Sequence, residues 1–159
     1  MNDLLKKILI GIVLLVLIIL TILFGNSKNN YRFYLEDKYY NSGDAINVDS
    51  KYLEEIDKES FLLFTYNYSC GMTRPCEEVF DKVLKDIKVD YYTISIDEFK
   101  KTKYHEIVKY APSFIIIKNG EIVTYLDAEN DNHLDYYQEE SSFKNWLNQY
   151  IQFTKKISK

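Results

Sequence analysis

Between Lys7 and Lys28 the chain carries no charged side chain, and from Ile8 to Phe24 only Thr21 is polar. A helix of roughly 17–20 such residues, rising about 1.5 Å each, spans about 26–30 Å, the thickness of a bilayer's hydrocarbon core. This run therefore divides the chain. Residues 1–25 are expected to form one N-terminal transmembrane helix, and the remainder must build a domain without them. A secretory signal has a shorter apolar stretch of about 7–15 residues and ends in a small-residue cleavage site. Here the exit reads LFGNSKNN, with only Gly25-Asn26-Ser27 as a weak candidate and no nearby cysteine for a lipid. An uncleaved anchor is expected, with a cleaved signal as the alternative. Lys6 and Lys7 are balanced by Lys28, Arg32 and Lys38, so the flanking charges nearly tie as a guide to orientation. The very short positive head resembles a signal-anchor. A single-pass protein of the cell membrane is expected, with its C-terminal domain outside the cytoplasm.

The formal net charge is −4 and no basic stripe appears. Phosphate backbones need clustered Lys and Arg, so nucleic acid is not an expected partner. No nicotinamide, flavin or phosphate-binding loop is visible, and no cofactor is expected. Residues 26–44 read as a polar stalk rich in tyrosine. Its rings suit either the membrane interface or packing against the domain. The domain is expected over 45–153, followed by a basic tail, 154–159, that keeps the end soluble.

Within 45–153 the pattern alternates. AINVD reads as a short strand, with Asp49 or Ser50 capping a helix over KYLEEID. FLLFTYNY, 61–68, is nearly continuously apolar and suits a central strand covered on both faces. In EEVFDKVLKDI, Val79, Phe80, Val83, Leu84 and Ile87 recur at helical spacing. VDYYTISID is the next strand and FKKTKYHEIVKYA the next helix. SFIIIKNGEIVTYLD holds two apolar runs joined at Asn119-Gly120, a strong hairpin signal. AENDNHLDYYQEE is a polar connector. SSFKNWLNQYIQF closes the chain as a helix, with Phe143, Trp146, Leu147, Tyr150 and Ile151 inward. The order predicts an α/β fold, a central mixed sheet with helices on both faces.

The chain's two cysteines, Cys70 and Cys76, lie in SCGMTRPCEE with five residues between them. On one continuous helix they would stand roughly 9 Å apart in rise and about 240° apart in azimuth. A disulfide needs Cα atoms within about 4.4–6.8 Å. Gly71 and Pro75 argue against such a helix, because glycine suits a turn and proline is accommodated in a helix's first turn. The helix should start near Thr73 or Arg74. Cys70 then sits in the loop, accessible, and Cys76 shares the inward face of Val79 and Phe80. Arg74 and the helix N-terminus favour thiolates here, while Glu77 and Glu78 oppose them. Four readings stay open: a redox pair, a structural clip, two inert thiols, or half of a metal site. Zinc usually wants four ligands, and His105 and His133 have no motif spacing, so no metal is expected. Asp127, Glu129, Asp131 and Asp135 step like a calcium loop, but Asn132 stands where the glycine belongs, and a solvated loop is expected.

Four features of residues 45–153 resemble the thioredoxin family. FLLFTYNY runs into a cysteine pair; PCEEVF opens an amphipathic helix at the second cysteine; Ala111-Pro112-Ser113 precedes a strand; FIIIKNGEIV repeats the hairpin. The whole resembles the membrane-anchored thioredoxin-like proteins of low-GC Gram-positive bacteria, some of them thiol oxidoreductases and some accessories of bacteriocin export. The chain departs from the family in placing five residues, not two, between its cysteines. It also carries Leu62-Leu63-Phe64 where a buried acid is usual. The resemblance implies a cis Pro112 that, with Ala111, presents a substrate backbone opposite Cys70 and Cys76. It also implies exported protein or peptide thiols as substrates and a second thiol protein as regenerating partner. The alternative function is a redox-inactive binding module of an export or envelope assembly, with a structural disulfide.

Overall fold

The computed structural model describes residues 32–155 and, apart from them, Ile12. The expected transmembrane helix therefore lies outside the described residues. Among those described, no helix is long and apolar enough to cross a membrane.

Five strands form one sheet: β1 (Ala45–Asn47), β2 (Phe61–Tyr66), β3 (Tyr91–Ser95), β4 (Ser113–Lys118) and β5 (Glu121–Asp127), in the order β1-β3-β2-β4-β5. β3 pairs parallel with both β1 and β2, while β4 runs antiparallel to β2 and β5. The mixed sheet follows from the connections. β1 to β2 and β2 to β3 are joined through helices, whereas β4 and β5 are joined by two residues at Asn119-Gly120. Both turn residues have positive φ, 51° and 78°, as a tight hairpin requires. A side chain at Gly120 would also collide with the Asp57 carbonyl, 1.6 Å from the added carbon. Burial tracks strand position. The five residues Phe61–Thr65 are buried in central β2, whereas edge strand β1 is exposed throughout.

Helices cover both faces: α1 (Ser50–Glu55), α2 (Thr73–Ile87), α3 (Ile96–Phe99), α4 (Leu134–Gln138) and α5 (Glu140–Leu147). Asp49 caps α1, its carboxylate accepting the Tyr52 N–H at 2.8 Å. α2, α4 and α5 pack together on one face around Phe64, Phe80, Phe114 and Phe143. Phe61, Tyr92 and Tyr104 form an edge-to-face cluster elsewhere in the core.

Three elements depart from expectation. FKKTKYHEIVKYA is not one helix: α3 ends at Phe99 and a 3-10 turn covers Lys103–Glu106. The cause is local. The Thr102 N–H and hydroxyl both bond the Phe99 carbonyl, at 3.0 and 2.8 Å, tightening the chain out of the α-helical ladder. Pro112 then disfavours helix in the residue before it. The polar connector holds α4, so it is not wholly a solvated loop. The last helix ends at Leu147, because the Gln149 and Tyr150 N–H groups bond three residues back. Ile151 leaves the helix to pair with Phe33 in a parallel bridge.

That bridge settles which reading of the tyrosine-rich segment applies from Arg32 onward. Leu35 and Tyr39 are core residues, 3% and 2% exposed, and the compact unit begins at Arg32. This segment packs on the domain. Its anchor is Asp90, 5% exposed, whose Oδ1 accepts the N–H groups of Ser42, Gly43 and Asp44 at 3.2, 2.7 and 2.9 Å.

Candidate thiol site

β2 feeds directly into the cysteine turn. The Asn67 carbonyl accepts the Cys70 N–H at 2.8 Å and the Thr73 hydroxyl at 2.6 Å. The Asn67 side chain accepts the Ser69 N–H at 3.0 Å. The Cys70 carbonyl in turn accepts the Thr73 N–H at 3.1 Å, which satisfies one of the unpaired donors opening α2. α2 begins at Thr73, so Cys70 lies ahead of it and Cys76 within it. Gly71 has open space around it and no positive φ, so the turn does not depend on glycine there.

The two thiols meet different surroundings. Cys70 is partly exposed; Cys76 is 1% exposed. No disulfide joins them. The Cys76 thiol donates to the Thr73 carbonyl at 3.1 Å, so Thr73 touches both cysteines, one through its N–H and the other through its C=O. Burial pushes the Cys76 pKa up to about 12; two backbone N–H groups oppose this, while negative charge on Glu77 and Cys70 adds to it. Cys76 is thus a neutral thiol at ordinary pH. Arg74 is exposed and lies with Tyr68, Glu77, Asp81 and Tyr91 around an open groove of about 560 Å³. The charge it meets is Glu77, whose pKa is raised by burial and by Asp81 and lowered by Arg74.

The Ala111–Pro112 peptide is cis. Pro112 is buried and Ala111 partly exposed. Register places this loop at the cysteine end of the sheet. Thr65, next to last in β2, pairs with Ser113, first in antiparallel β4, so the cysteine turn and the proline loop leave the sheet at the same end. Two side chains hold the loop. The Ser113 hydroxyl donates to the Tyr110 carbonyl at 2.8 Å, and the Tyr137 hydroxyl donates to the Pro112 carbonyl at 3.0 Å. Tyr137 was not legible as part of the site. It sits in the polar connector, and only the Leu134–Tyr137 spacing, one helical turn, hints at an inward face. His105 and His133 stand apart from the thiols: His105 Nδ1 contacts the Val108 carbonyl at 3.1 Å, and His133 Nδ1 accepts the Asp127 N–H at 3.0 Å.

No protein-family model matches the chain, and no curated protein does. Solved structures match it in shape. A mutant thioredoxin from Halobacterium salinarum is 18% identical at a TM-score of 0.55, over 70% of this chain and 95% of its own. A Malassezia sympodialis thioredoxin is 19% identical at 0.50, over 68% and 91%. The short form of spinach chloroplast thioredoxin F is 15% identical at 0.50, over 67% and 95%. At these identities the likeness is one of architecture. Residues 32–155 adopt a thioredoxin-like α/β fold, with a cysteine pair where the central strand enters its helix and a cis proline opening the neighbouring strand.

Proposed function

We propose that this protein is a membrane-anchored thiol–disulfide oxidoreductase that acts outside the cytoplasm on exported polypeptides through Cys70 and Cys76. One observation carries the reading: a partly exposed Cys70 in the turn leaving β2 and a buried Cys76 in α2, at the same end of the sheet as Ala111–Pro112. The apolar run Ile8–Phe24 supports the anchor. In the reductive direction the Cys70 thiolate attacks a substrate disulfide, forming a mixed disulfide and releasing one substrate thiolate. Cys76 loses its proton to solvent or to the departing sulfur and attacks the Cys70 sulfur. The second substrate thiol leaves, and a Cys70–Cys76 disulfide remains. Two thiols are oxidised and one disulfide is reduced; an external thiol protein restores the starting state. The oxidative direction is the reverse. Arg74 stands at the start of α2, and Ala111 and Pro112 receive the substrate backbone.

The test is trapping. Cys76→Ser leaves no resolving thiol, so mixed disulfides through Cys70 should accumulate in growing cells and disappear in Cys70→Ser. Absence of adducts in Cys76→Ser would refute the reading. A membrane-impermeant maleimide applied to intact cells should label Cys70; protection until lysis would refute the orientation. The high pKa of Cys76 favours a second reading, a redox-inactive binding module of an export or envelope assembly, because a neutral thiol resolves slowly. A Cys70–Cys76 reduction potential far below about −300 mV would support that module.

A further inference from the structure

Tyr137 and Ser113 come from different elements and bond the two residues on either side of Ala111. Ser113 occupies the Tyr110 carbonyl and Tyr137 the Pro112 carbonyl. Between them, among the described residues, neither the N–H nor the C=O of Ala111 has a hydrogen-bond partner. The residues flanking Ala111 are thus tied down from inside, and the partly exposed residue in the middle keeps a free donor and a free acceptor. A peptide group with both functions free is what an extended chain needs to pair with.

Tyr137 also connects this loop to the thiols. Its side chain is 2% exposed, and its ring packs on Phe80, one turn beyond Cys76 on α2, with centroids 5.7 Å apart. Phe80 is itself packed against Phe143 and Phe114, with ring centroids 4.4 and 5.0 Å away, so the surface that receives the Tyr137 ring is fixed by α5 and β4. A phenol held this way has few alternative rotamers. Its hydroxyl is buried, and moving off the Pro112 carbonyl would leave a donor and an acceptor unpaired.

We propose that Tyr137 and Ser113 are positioning residues that present Ala111 to a visiting polypeptide. They hold the carbonyls on either side so that substrate pairs with the Ala111 peptide groups in front of Cys70. The inference rests on Ala111 and Pro112 receiving substrate backbone, as argued above.

Tyr137→Phe tests this, because it keeps the ring and removes only the hydroxyl. Two probes are compared. One is an extended peptide whose single cysteine is a mixed disulfide with thionitrobenzoate; the other is the small dithiobis-nitrobenzoate disulfide, which has no backbone. Loss of one buried hydrogen bond should raise KM for the peptide about three- to tenfold. Its kcat and the rate with the small disulfide should hold within about twofold. Ser113→Ala should shift the peptide KM in the same direction. An unchanged peptide KM in both variants overturns the inference. So does an equal slowing with both probes, which would mean that the phenol acts on the thiols and not on the loop. Failure of the proposed chemistry reads differently, since wild type itself would then show no Cys70-dependent release. In that case, affinity for the same peptide with serine in place of cysteine, measured by fluorescence anisotropy, decides. Weaker binding by Tyr137→Phe, by the same factor, sustains the inference, and equal binding overturns it.

Discussion

Removing the Cys76 thiol from water has a consequence that alkylation can measure directly. From its unperturbed value of 9.0, the Cys76 thiol would be about one-tenth thiolate at pH 8. With its pKa pushed up to about 12, Cys76 is about one ten-thousandth thiolate, a deficit of roughly a thousandfold before any steric shielding. The experiment is a pulse of iodoacetamide on the reduced native protein, quenched and mapped by mass spectrometry, with a denatured control in which both cysteines react. Cys70 should label while Cys76 stays at or below about a thousandth of the rate of a solvated thiol. Raising the pH should increase Cys76 labelling about tenfold per unit and continue past pH 11, where a solvated thiol has already levelled off. A native Cys76 rate within about tenfold of a free thiol refutes the desolvation reasoning. A slow rate that plateaus near pH 9 refutes it as well, because the reacting species would then be an opened, hydrated state.

Two further outcomes follow from buried groups elsewhere. Asp90→Ala should lower stability in urea by about 3–4 kcal/mol, since one carboxylate oxygen accepts three backbone N–H groups, which would then have no acceptor; a loss under about 1 kcal/mol would mean that water replaces the carboxylate freely. The domain should also weaken in alkali. Cys76 is raised from 9.0 to about 12 and Tyr104 from 10.0 to about 12, both chiefly by burial, so the unfolded chain releases these protons first. Their contribution is complete below about pH 9 and is lost as pH rises toward 12, so denaturant midpoints should fall across that window and not below it.

The parts of the fold written in short-range pattern were readable from sequence. β2 is continuously apolar and is central; Asn119-Gly120 is a hairpin turn; Pro75 and the Val79–Phe80 spacing put Cys76 inside and leave Cys70 before the helix. What was not readable depends on competition or distance. Residues 99–111 have helical composition, and the Thr102 hydroxyl and Pro112 override it. Leu35 and Tyr39 look like stalk residues until Asp90, far along the chain, collects the backbone of 42–44 and brings that segment onto the sheet. Lys88 ends α2 in the left-handed region, at φ 56°, without the glycine that usually marks such a stop. Tyr137 is one of fifteen tyrosines, and no local rule separates the one that bonds Pro112 from those at the surface.

The bridge between Phe33 and Ile151 closes the body on itself. The Phe33 N–H donates to the Tyr150 carbonyl at 2.9 Å, and the Gln152 N–H donates to the Phe33 carbonyl at 2.8 Å. Entry and exit are therefore neighbours, clasped by their own backbone. A pull arriving through the residues before Arg32 meets this clasp first, and from Ile151 it passes to α5 and its aromatic packing under the proline loop. The domain's first and last described segments are thereby fastened to each other, and a load applied at either is shared by both.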